Sequence, residues 1–113
     1  MNLPVGFSTQ GGETYDAIIA QLNAMWGRKF VDKFEQKVAK TISLISASPT
    51  LYPLADFGMD VRRCVLHKNC SMFYRIHATH ITIIYFWDNR QDRLFFSGGK
   101  ENSGRGRRVL LAF

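Results

Sequence analysis

The hydrophobic and polar positions of this chain change period twice. Leu3, Val5 and Phe7 alternate with Pro4, Gly6 and Ser8, which predicts a short strand that Pro4 places near a strand start or a sheet edge. The stretch "STQGGE" breaks that alternation. Ser8 is of the type that caps a helix, but Gly11 and Gly12 make a weak first turn, so the helical pattern is read from Glu13. From there Tyr15, Ile18, Ile19, Leu22, Met25 and Trp26 recur at helical spacing on one face, with Asp16, Gln21 and Asn23 off it. Gly27 suits a left-handed turn that ends this helix. A second helix follows at once, with Phe30, Phe34, Val38, Ile42 and Ile45 as its apolar stripe. Arg28, Lys29, Asp32, Lys33, Gln36, Lys37 and Lys40 form its wet side. Ser48-Pro49 closes it, because proline disfavours helical geometry in the residue before it. Helices joined so tightly should form an antiparallel hairpin.

After the loop "SPTLYPLADFGMD" the period becomes that of strands: "VRRCVL" (61–66), "CSMFYRI" (70–76) and "ITIIYFW" (81–87), all rich in β-branched and aromatic residues. "HATH" is short enough to join the last two as a hairpin, and pairing Ile76 with Ile81 assigns their faces. Met72, Tyr74, Ile76, Ile81, Ile83, Tyr85 and Trp87 fall on a nearly all-apolar face expected to pack on the helices. Ser71, Phe73, Arg75, His77, His80, Thr82, Ile84, Phe86 and Asp88 fall on a mixed face; a slip of one residue exchanges the two sets. The predicted architecture is α+β, in the order β-α-α-β-β-β, with a helical hairpin on one face of a mainly antiparallel sheet. Residues 1–94 read as a single domain. Residues 95–113, "FFSGGKENSGRGRRVLLAF", read as a basic Gly/Ser/Arg-rich tail expected to be flexible.

Composition narrows this picture. The chain has 113 residues, nine of them Phe, four Tyr and two Trp, enough for one real core. No apolar run approaches the roughly 20 residues of a membrane span. "MNLPVGFSTQ" lacks the basic and apolar regions of a signal peptide, so a cytoplasmic location with no membrane partner is the default expectation. Cys64 and Cys70 read as reduced thiols buried in strands; no second pair completes a zinc set, so neither metal nor cofactor is expected. The net charge is +6. Arg93, Lys100, Arg105, Arg107 and Arg108 against Glu101 put most of it in the tail, which suggests an anionic partner or simply a charged, solvated end.

The order of these elements resembles the RelE/ParE superfamily of bacterial toxins from type II toxin–antitoxin pairs, over roughly residues 5–94. The residues that carry the resemblance are "FSTQGGETYDAI" at the strand-to-helix junction, "MWG" with "KFVDKFEQKVAKTISLISASPTLYP" across the helical hairpin, and "VRRCVL", "MFYRI" and "ITIIYFWDNRQD" as later strands. The last ends in a short polar motif centred on Arg90. Gly11, Arg93 and the tail depart from the family pattern.

Two chemistries sit on that fold, and the fold does not choose between them. The ParE-like branch implies a poison of DNA gyrase that needs a binding surface and no catalytic residues; the long hairpin with its Trp-Gly junction looks more like this branch. The RelE-like branch implies a ribosome-dependent mRNA endoribonuclease, which needs a base, an acid and cations around the phosphorane. Its candidates here are Arg63, Lys68, Arg75 and Arg90, with His67, His77 and His80 nearby and no complete acid–base set. A third possibility is a degenerate member that only binds its partner. In each case the resemblance implies a cognate antitoxin as direct partner and no small-molecule substrate. The antitoxin is expected over the mixed face and its polar rim, at Arg63, Arg75, Asp88, Asn89, Arg90 and Asp92.

Overall fold

The computed structural model describes residues 2–55 and 60–89. The elements are β1 (Val5–Phe7), α1 (Thr9–Trp26), α2 (Arg28–Ala47), β2 (Val61–His67), β3 (Cys70–Ile76) and β4 (Ile81–Asp88). Both helices pack on one face of a four-stranded sheet of order β1-β4-β3-β2. β2, β3 and β4 are antiparallel neighbours, and β1 runs parallel to β4, with Val5 opposite Ile81. The first strand therefore pairs with the last, closing the chain around its own hairpin.

Helix α1 begins four residues earlier than the apolar period predicts. Ser8 is an N-cap whose hydroxyl accepts from the Gly11 amide at 2.9 Å. Gly11 is a requirement of packing: a Cβ there would overlap the Ile83 carbonyl oxygen of β4. Gly27 has a φ of 91°, the left-handed region that favours glycine, and it donates to the Asn23 carbonyl while the chain turns directly into α2. Ser48 ends α2 with its amide on the Leu44 carbonyl.

The core joins Ile18 and Leu22 of α1 with Val31, Phe34, Val38 and Ile45 of α2. Opposite them lie Cys64, Leu66, Cys70, Met72, Tyr74, Ile81, Ile83 and Phe86 of the sheet. The buried stripe of α2 is Val31, Phe34, Val38, Thr41 and Ile45, rotated slightly from the one predicted; Phe30 and Ile42 lie at its flank. Trp26, expected in the core, is 59% exposed, and Met25 is 45% exposed. The chain reverses at Gly27 directly into α2, and Trp26 stacks on Phe30 of its first turn.

Candidate functional site

The face of the sheet opposite the helices carries no helix or strand among the described residues. Its composition depends on one irregularity. Cross-strand pairs run Ile76–Ile81, Arg75–Thr82 and Tyr74–Ile83, then Phe73–Tyr85, Met72–Phe86, Ser71–Trp87 and Cys70–Asp88. Ile84 is the extra residue of a bulge, and beyond it every β4 side chain changes face. This corrects the sequence assignment. Phe86 and Asp88 belong to the helix side and are buried, whereas Tyr85 and Trp87 join Phe73, Ser71, Arg75 and Thr82 on the open side. Asp88, expected on an exposed polar rim, is 1% exposed, because the bulge turns it inward behind Cys70.

Helix α1 holds the bulge. Strand β1 ends at Phe7, so the Phe86 amide has no strand beside it; the Thr14 hydroxyl accepts from it at 3.0 Å and donates to the Gln10 carbonyl at 2.8 Å. The Ser8 amide donates to the Ile83 carbonyl at 3.0 Å. Thus Ser8, Gly11 and Thr14, one face of the first turns of α1, fix the register that puts Tyr85 and Trp87 outside.

On the open side a polar network spans three strands. Arg63 of β2 donates through Nε to Ser71 Oγ at 3.0 Å and through Nη2 to Asn89 Oδ1 at 2.8 Å. Ser71 Oγ donates to the same Asn89 oxygen at 2.7 Å. The Asn89 amide nitrogen Nδ2 reaches the carbonyls of His67 and Lys68, and its backbone amide donates to the Asn69 carbonyl. Asn89 thereby ties the exit of β4 to the β2–β3 turn. The Arg63 guanidinium also lies over the Phe73 ring, 5.5 Å from its centroid. Tyr85 and Trp87 stack at 5.7 Å. Burial pushes the Tyr85 phenol above its ordinary value.

Arg75 stands apart. Among the described residues its side chain has no hydrogen-bond or ion-pair partner, and its strand neighbour is Thr82. Beside Arg63 the surface dips into a concavity of about 440 Å³ lined by Tyr52, Pro53, Leu54, Ala55, Val65 and Phe73. Leu54 and Val65 are more than half exposed there, at 57% and 58%. The segment carrying Leu54 lies along the edge of β2, where Arg62 Nη1 donates to the Tyr52 carbonyl at 2.7 Å.

The structure therefore brings Arg63 and Asn89 of the predicted site residues together, sets Arg75 on the same face, and places Lys68 at the tip of the adjoining turn. His77 and His80 stack on each other at 4.3 Å beside the β3–β4 turn, at the opposite end of the strands from Asn89. Arg90, Asp92 and the 95–113 segment lie outside the described residues. Tyr85, Trp87 and Ser71 were not singled out from the sequence as site residues; a bulge leaves no mark in the alternation of so apolar a strand. Cys64 and Cys70 are buried free thiols on the helix side, and burial pushes Cys70 up to about 12, which keeps it an unreactive thiol. Among the described residues no group of three His, Cys, Asp or Glu is placed to hold a metal, and no helix is long and apolar enough to cross a membrane.

No protein-family model matches this sequence, and no curated protein matches it. Among solved structures, the fold matches a chain from "Chromosomal ParDE TA system from P. aeruginosa". The TM-score is 0.63 and the identity 15%, over 74% of this chain and 92% of that one. At that identity the likeness is one of fold: two helices on one face of a mixed four-stranded sheet.

Proposed function

We propose that this chain is the toxin of a type II toxin–antitoxin module, that it acts by inhibiting DNA gyrase, and that a cognate antitoxin neutralises it. The observation that carries the reading is the match of nearly the whole of a ParDE-system chain to this fold, together with a sheet face left open beside it. That face has the makeup of a protein-binding surface: a central buried Phe73, stacked Tyr85 and Trp87, the Arg63 anchor and exposed aliphatics in a concavity beside it. An antitoxin segment with acidic and apolar residues suits it, its carboxylates meeting Arg75 and Arg63 and its apolar side chains filling the concavity. Arg90 and Asp92 extend the same rim in sequence.

Inhibition without catalysis is favoured because the acid–base groups are dispersed. His77 and His80 are at the wrong end of the sheet, Arg63 is engaged by Ser71 and Asn89, and the Tyr85 phenol is raised by burial. Purified protein is expected to block supercoiling by gyrase in vitro while leaving ribosome-bound mRNA intact. Intact supercoiling with cleaved mRNA overturns the ranking, and activity in neither assay reduces the chain to an antitoxin-binding remnant.

A second reading, a ribosome-dependent mRNA endoribonuclease, has one specific observation behind it. The bulge sets Tyr85 on the same face as Arg63 and Arg75, so a phenol and two guanidiniums face one surface. Under that reading Arg75→Ala and Tyr85→Phe each abolish cleavage while leaving the melting temperature nearly unchanged.

A further inference from the structure

The tip of the helical hairpin has no role in the toxin reading, yet it is built unlike a solvated helix end. Trp26 is 59% exposed and Met25 45% exposed, beside a junction whose geometry Gly27 fixes. The indole lies nearly parallel to Phe30, with centroids 5.8 Å apart and planes at 26°. Phe30 in turn meets His67, the last residue of β2, edge to face at 6.4 Å and 75°. An aromatic ladder thus runs from the hairpin tip to the turn that Asn89 ties to the exit of β4. Three lysines lie next to its residues in sequence. Lys29 and Lys33, one helical turn apart, flank Phe30 in sequence, and Lys68 follows His67; all three are exposed, with no ion pair among the described residues. Arg28 pairs with Asp32 at 3.2 Å, so the acid nearest in sequence to these lysines is already engaged.

We propose that this tip is a binding site for single-stranded nucleic acid, in which a base stacks on the open face of Trp26 and Lys29, Lys33 and Lys68 take the flanking phosphates. The combination distinguishes this occupant from a protein segment. A protein partner needs a groove or a broad apolar patch, on the order of 800 Å² per side for a stable interface. At this tip, among the described residues, the large exposed apolar side chains are Met25 and Trp26, with Phe30 partly buried. A strand of nucleotides needs only a π-face per base and a cation per phosphate, and Trp26 with the exposed Lys29, Lys33 and Lys68 supplies both. The site does not depend on which target the toxin reading assigns. It meets the Arg63–Asn89 network at His67 and Lys68, but Trp26, Lys29 and Lys33 make no hydrogen bond to that network among the described residues, so variants at those three residues tell its failure and the failure of that reading apart.

The test uses the full-length chain and a fluorescein-labelled oligouridylate of roughly 10 nucleotides, with anisotropy followed across salt concentrations. Trp26→Ala should weaken binding about tenfold and Trp26→Phe much less, since stacking survives. Lys29→Gln/Lys33→Gln should flatten the salt dependence by about 0.7 per lost phosphate contact. Every variant retains the Arg-rich tail, so the tail sets a common background and the Trp26→Ala loss is read as the difference from wild type at the same salt. Circular dichroism should show unchanged melting for these exposed substitutions. Equal affinity for a duplex of the same length, or wild-type binding by Trp26→Ala and the double lysine variant, overturns the proposal. So does loss of antitoxin binding in Trp26→Ala with oligonucleotide binding intact, which would make the tip a protein contact.

Discussion

The two faces of the sheet are made from the same four strands, yet they solve different problems. On the helix side Met72, Tyr74, Ile81, Ile83 and Phe86 are fully buried. The polar groups there are few and each is consumed: Thr14 bridges α1 to β4, and the Tyr74 hydroxyl donates to the Pro49 carbonyl at 2.7 Å. On the open side Ser71 and Phe73 form a buried centre, with no helix or strand over it among the described residues and with the Tyr52–Ala55 segment beside Phe73. Arg63 and Asn89 hold Ser71 there by hydrogen bonds, while Arg75 is left over. One face is finished by packing; the other is organised by hydrogen bonds and, among the described residues, carries no second layer of helix or strand. The lesson is that the bulge at Ile84, and not composition, decides which residues belong to which face.

The sharpest way to break this contrast is at Gly11. A methyl there meets the Ile83 carbonyl of the backbone, so Gly11→Ala should destabilise the fold by about 1–3 kcal/mol or more, read as a drop in the urea midpoint. Thr14→Val leaves the Phe86 amide buried without an acceptor and should cost about 1–3 kcal/mol. It should also perturb Tyr85 and Trp87, visible as a shift in near-ultraviolet circular dichroism. On the open side, Asn89→Ala strands the Ser71 hydroxyl and one Arg63 donor and unties the β2–β3 turn. About 1–2 kcal/mol is expected in chemical denaturation, with faster amide exchange at 67–70.

Alkali tests the helix side. Burial raises Tyr15 and Tyr74 from 10.0 to about 12. The unfolded chain then loses those protons first, and stability present below pH 10 should fall as pH rises from 10 toward 12. A denaturation midpoint flat across that window contradicts the burial of these phenols. Arg75→Ala is the smallest expected effect on stability, within about 0.5 kcal/mol. The same substitution should weaken antitoxin binding measured by calorimetry, and unchanged affinity would remove Arg75 from the interface.

Element types and order were legible in the residues because they rest on local periodicity. The hairpin follows from the apolar spacing of Ile18, Leu22, Phe34, Val38 and Ile45, its corner from Gly27, and its end from Ser48-Pro49. Ile76 does face Ile81, so the register at the β3–β4 turn was also readable. Of the candidate site, the face pattern set Ser71, Phe73, Arg75 and Thr82 together on the side they occupy, while Tyr85, Trp87, Phe86 and Asp88 were set on the wrong side.

What the sequence settles by itself is whatever depends on near neighbours along the chain: turns, caps, and which stretches curl or extend. Tertiary structure alone decided that β1 lies against β4, that α1 presses Gly11 onto the Ile83 carbonyl, and that β4 takes up an extra residue at Ile84. Each of these is a contact between residues more than 70 positions apart or a consequence of one, as in the Ser8 and Thr14 hydrogen bonds to β4. Within a strand as uniformly apolar as "ITIIYFW", either face could be the buried one; the helix that arrives from the other end of the chain makes the choice.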